Sequence, residues 1–176
     1  MSEIQQSIYV VDDDDAMRDS MSWLLEGEGY RVACYSSGGE FLAARHAEMR
    51  GCLVLDVRMP EMSGLELYEK LAALGSKLPV IFVTGHGDVP MAVAALQRGA
   101  CDFIEKPFHN QDLLSRISRA LELDRQNCAR RERVHGCTVH FVTAELEIEL
   151  QKLLLPKDPN DERNVRAGNR NASAEA

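Results

Sequence analysis

Four aspartates in succession, Asp12-Asp13-Asp14-Asp15, close the apolar run Ile8-Tyr9-Val10-Val11, and a further aspartate, Asp56, closes Cys52-Leu53-Val54-Leu55. Carboxylates gathered at one edge repel one another unless a cation compensates, and a set of hard oxygen donors suits Mg2+ better than zinc. Two more apolar runs end in complementary groups. Val80-Ile81-Phe82-Val83 ends in Thr84, and Asp102-Phe103-Ile104 is followed by Lys106-Pro107, an X-Pro bond placed where a cis form is expected. A hydroxyl and an ammonium beside a carboxylate can neutralise the oxygens of a phosphoryl group carried on that carboxylate. Aspartate, cation, hydroxyl and lysine together describe an acyl-phosphate site. Each piece has a plainer reading, since an acidic run after a strand is often a solvated turn in which Asp14 or Asp15 caps a helix. Their joint occurrence at four run ends favours the functional one.

The elements that must position these groups follow from periodicity. The runs are apolar at consecutive positions, as strands covered on both faces are, and Arg31-Val32-Ala33-Cys34 adds a fifth. Between them Met17, Met21, Leu24 and Leu25 recur at helical spacing before the stop signals Gly27 and Gly29. Ser37 to Glu40 has capping-box spacing, Gly64 precedes Leu65, Tyr68 and Leu71, and Asp88 is placed to cap a helix with Pro90 in its first turn. Gly99 ends that helix, and Asn110 starts a last one striped by Leu113, Leu114, Ile117, Ala120 and Leu121. Five strands alternating with five helices predict a doubly wound α/β fold, a parallel sheet with helices on both faces. In such folds ligands sit beyond the carboxyl ends of the strands, where the polar residues above fall.

Composition narrows the function. At 176 residues and 45% hydrophobic the chain can bury one core and carry an appendage. A formal charge of -8 opposes a general electrostatic grip on DNA. The five cysteines form no C-x-x-C pair, and no signal-like segment opens the chain, so a reduced cytoplasmic protein is expected. No apolar run approaches the ~18 residues of a membrane span. The expected organisation is a domain over residues 1–123, a charged linker and possible helix over 124–155, and a disordered tail over 156–176.

Taken as a set, Asp12-Asp13, Leu55-Asp56 with Met59-Pro60 and Gly64, Val83-Thr84-Gly85-His86-Gly87 and Phe103-Ile104-Glu105-Lys106-Pro107-Phe108 resemble the receiver domains of two-component response regulators, in particular the FixJ-like transcriptional branch. The resemblance covers roughly Ile8 to Leu123. It implies a flavodoxin-like sheet of order 2-1-3-4-5. It implies that Asp56 accepts a phosphoryl group from a sensor histidine kinase, and that Asp12, Asp13, Asp56 and the backbone carbonyl of Arg58 hold Mg2+. Thr84 and Lys106 would bind the phosphoryl oxygens, and Thr84 and Phe103 would move as a switch. The changed surface would involve the fourth helix, fifth strand and fifth helix, with phosphorylation-dependent homodimerisation as output. Arg58 and His86, two positions after Asp56 and Thr84, are placed to screen the phosphate from water and set its lifetime.

Other functions compete. FixJ-like regulators continue into a DNA-binding helix-turn-helix, but no complete one is evident here, and residues after Leu123 carry equal numbers of basic and acidic side chains. DNA binding through that segment is therefore doubtful, and a truncated or degenerate effector is expected. An aspartyl-phosphate phosphatase would use a second Asp two residues after the nucleophile, where this chain has Arg58, so a turnover enzyme is not expected.

Overall fold

The computed structural model describes residues 5–85 and 88–154, with side chains through 131 and at 133, apart from Val89. Its elements alternate as the sequence predicts: β1 (Ser7–Val11), α1 (Asp15–Gly27), β2 (Val32–Tyr35), α2 (Gly38–Ala44), β3 (Gly51–Asp56), α3 (Gly64–Ala73), β4 (Val80–Thr84), α4 (Val89–Gln97), β5 (Asp102–Glu105) and α5 (Asn110–Leu154). The strands form one parallel sheet in the order β2-β1-β3-β4-β5, the expected doubly wound topology.

Two apolar clusters sandwich the sheet because alternate strand residues face opposite sides. Ile8, Val10, Cys52, Val54, Ile81, Val83 and Ile104 pack with Met21 and Leu25 of α1 and Leu113, Ile117 and Ala120 of α5. Tyr9, Val11, Leu53, Leu55, Val80 and Phe82 pack with Phe41 of α2, Leu67 and Leu71 of α3 and Ala95 of α4. Every residue of β3 and β4 is buried, which is why those runs show no polar alternation. Trp23, on the outer side of α1, is 83% exposed.

The helix starts follow local chemistry with one exception. Asp14 caps α1 by accepting from the Ala16 and Met17 N–H groups. Ser37 accepts from the Glu40 N–H, while the Glu40 carboxylate reaches past it to Ser36. Ser63 and Glu66 make a complete capping box at α3. The exception is Asp88: it occupies the cap position of α4, but its side chain makes no capping bond there and is turned to another partner.

The α5 helix runs to Leu154, through the stretch expected to hold a charged linker and possible helix. The chain divides after Arg130 into two units, and the first contains the sheet. The expected boundary after Leu123 passes between consecutive residues of α5, and Asp124 is buried against the sheet's opposite end. The 156–176 tail lies outside the described residues.

Candidate functional site

The register of the sheet brings the run ends together. Val11 is level with Leu55, so Asp12 leaves β1 beside Asp56 at the end of β3. Asp56 is level with Val83 and Thr84 with Glu105, so Thr84 and Lys106 follow on the adjoining strands. The Lys106 N–H donates to the Thr84 carbonyl at 2.8 Å, and the Lys106–Pro107 bond is cis.

One carboxylate oxygen from each of Asp12, Asp13 and Asp56 lies within 4.8 Å of the others. Asp12 and Asp56 are buried, whereas Asp13 is exposed. Lys106 Nζ donates to Asp12 Oδ2 at 3.1 Å and to Asp56 Oδ1 at 3.2 Å. Burial, then the neighbouring Asp12, push the Asp56 carboxyl up to about 6, with Lys106 opposing them. Burial works against the Lys106 ammonium, but the Asp12 hydrogen bond and the pull of Asp56 outweigh it and raise its pKa. The pocket thus has a surplus of negative charge that a single ammonium does not remove. An all-oxygen donor set with that surplus fits a hard divalent cation such as Mg2+.

Thr84 is fully buried, and its Oγ1 donates to the Ile104 carbonyl at 3.4 Å. Phe103 is half-buried and packs against the α2–α4 side of the sheet. Its carbonyl accepts from Arg116 Nε at 3.0 Å. His86 lies outside the described residues. The Arg58 side chain does not enter the carboxylate cluster. Its Nε donates to both oxygens of the buried Asp88, at 2.7 and 2.9 Å, and its terminal nitrogen lies 2.6 Å from Oδ1. Nothing in the local spacing indicates that the expected α4 cap, Asp88, and the expected phosphate screen, Arg58, are each other's partners.

Sequence reasoning also passed over Arg18. Its guanidinium donates to the Asp12 carbonyl at 2.6 Å and to the Asp15 carboxylate, and the side chain is only 15% exposed. A cation near the start of a helix runs against the macrodipole, so Arg18 directly after the acidic run was a readable signal of a local partner.

Gly64 completes the floor of the site. A Cβ there would lie 2.2 Å from the Asp56 carbonyl oxygen, so α3 begins against the backbone of the central aspartate in a way that glycine alone permits.

Comparison with known proteins gives the same picture. Residues 8–118 match the response regulator receiver domain family. The chain is 51% identical over 123 residues to the response regulator protein TmoT of Ectopseudomonas mendocina, covering 70% of this chain and 56% of that protein. It is 47% identical over 129 residues to the transcriptional regulatory protein FixJ of Azorhizobium caulinodans, covering 71% of this chain and 61% of that one. The chain therefore spans less than two thirds of the length of these relatives. Among solved structures, the response regulator StyR aligns with a TM-score of 0.75 at 40% identity, over 78% of this chain and 70% of StyR. The structure titled FixJ-N aligns with a TM-score of 0.63 at 44% identity, over 69% of this chain and 96% of the other. With five parallel strands in the order seen and carboxylates gathered at their ends, the chain belongs to the response regulator receiver family of two-component systems.

Proposed function

We propose that this receiver accepts a phosphoryl group on Asp56 from the phosphohistidine of a sensor kinase and signals by a change of surface, with a phosphorylation-dependent homodimer as output. The observation that carries the reading is the contact of Lys106 with both Asp12 and Asp56 beside the exposed Asp13. Asp12, Asp13 and Asp56, with the Arg58 carbonyl, would hold Mg2+. When bound, the ion supplies charge neutralisation for the incoming phosphoryl oxygens.

In this reading an Asp56 carboxylate oxygen attacks phosphorus, the phosphorus–nitrogen bond to the donor histidine breaks, and a mixed anhydride remains on the aspartate. Lys106 moves its ammonium from carboxylate to phosphoryl oxygen. Thr84 exchanges its long bond to the Ile104 carbonyl for a charged acceptor, which is the stronger partner. Phe103, already half-buried, then turns toward the space that Thr84 leaves. Hydrolysis of the anhydride resets the protein, and Arg58 and His86 set its rate. For Arg58 this requires release from Asp88, so Arg58→Ala is expected to change the decay of the phosphorylated protein several-fold in a phosphate-release assay. An unchanged decay would remove Arg58 from the mechanism.

The decisive test is solution mass by light scattering for wild type and Asp56→Asn, with Mg2+ and with or without a small-molecule phosphodonor. A monomer-to-dimer shift in wild type alone supports both parts of the proposal. Phosphorylation detected by intact mass without a shift would keep the acceptor role and end the dimer output, while no phosphorylation of wild type would end the reading.

A further inference from the structure

The acidic turn between β1 and α1 carries two of the expected cation ligands, yet they are held very differently. Asp12 is fixed at every polar atom. Its N–H donates to the Tyr35 carbonyl at 3.3 Å, its Oδ1 accepts from the Asp14 N–H at 2.9 Å, its Oδ2 accepts from Lys106, and its carbonyl accepts from Arg18. Asp13 is exposed, and no described side chain donates to its carboxylate. The aim of Asp13 therefore depends on the orientation of the peptide that joins it to Asp12. The carbonyl of that peptide is the atom Arg18 grips.

We propose that Arg18 is a positioning residue for the cation site, holding the Asp12–Asp13 peptide so that both carboxylates face Asp56; the inference rests on the proposed Mg2+ site. Two features support it beyond the hydrogen bond itself. The guanidinium is mostly buried and bridges to Asp15, which anchors it from the outer side of the turn. It also binds no oxygen of the three clustered carboxylates, whereas Lys106 takes two of them. One cation thus occupies ligand oxygens and must yield them, while the other organises the turn and leaves them open.

The proposal predicts a sign that simple electrostatics does not. Removing a positive charge beside an acidic pocket should by itself tighten binding of a divalent cation. Loss of an outer-shell partner that orients ligands weakens metal affinity, by about 10- to 100-fold in characterised sites. Titration calorimetry with MgCl2 on metal-free full-length protein decides between them. Arg18→Ala, and Arg18→Met, which keeps an apolar stem for packing, are expected to weaken Mg2+ about tenfold. Arg18→Lys, with one donor able to reach the Asp12 carbonyl, is expected to lie between them and wild type. Equal or tighter binding by folded Arg18→Met overturns the inference, as does Arg18→Lys no better than Arg18→Met. Failure of wild type to bind Mg2+ is a separate result that ends the cation site itself.

Discussion

At the scale of single residues, the proposed attack on phosphorus requires Asp56 to be ionised, yet its surroundings favour the proton. Its pKa of about 6 lies above the ordinary 3.8, so between those values the folded, metal-free protein binds this proton more than the unfolded chain does. Stability from this group is therefore highest at low pH, falls as pH rises through that window, and the penalty is complete above about 6. Metal-free Asp56→Asn lacks the penalty. It is expected to exceed wild type in stability at pH 7.5 by on the order of 1 kcal/mol, after allowance for solvent screening, with the difference vanishing near pH 4. Urea unfolding in EDTA at several pH values measures it; a constant difference across pH would assign the gain to something other than charge. Mg2+, if held as proposed, would act on the same residue from the other side. At ten times its dissociation constant it should stabilise wild type by about 1.4 kcal/mol through mass action, and Asp13→Asn should lose most of that gain.

At the scale of elements, Gly64 shows how closely α3 is built on the backbone of Asp56. In Gly64→Ala the new methyl would meet the backbone of Asp56 and Val57, which cannot turn aside as a flexible side chain could. A loss of roughly 3 kcal/mol in denaturant unfolding is expected, and little loss would mean that the start of α3 can move. The strands and the site's main groups are legible in the sequence because each rests on local pattern: fully apolar runs for β3 and β4, and polar residues at their ends. Asp88 was misread for a reason that local pattern cannot contain. A carboxylate at a helix start can bond its own helix or a distant cation, and the choice depends on Arg58 lying across the loop. The continuation of α5 past Gly136 is compatible with the sequence, since a single glycine lowers helix propensity by about 1 kcal/mol without forbidding the helix.

At the scale of the whole molecule, the sheet's end opposite the carboxylate cluster is fastened by Asp124. Its Oδ2 accepts from Gln6 at 2.7 Å, Arg50 at 3.0 Å and the Gly51 N–H at 3.1 Å, joining α5 to the entries of β1 and β3. These partners are far apart in sequence, so no motif announced them. Asp124→Ala would strand the mostly buried Arg50 side chain and the Gly51 N–H, and is expected to cost about 3–5 kcal/mol in urea unfolding while leaving the carboxylate cluster in place. A loss below ~1 kcal/mol would show that water replaces the carboxylate there. Trp23 carries a different consequence for the molecule as a whole. The chain's one tryptophan already faces water in the native state, so its emission will change little when the protein unfolds, and backbone signals must be used to follow folding. The same exposure makes it a built-in optical probe of α1, silent toward the core and responsive to whatever dries that surface.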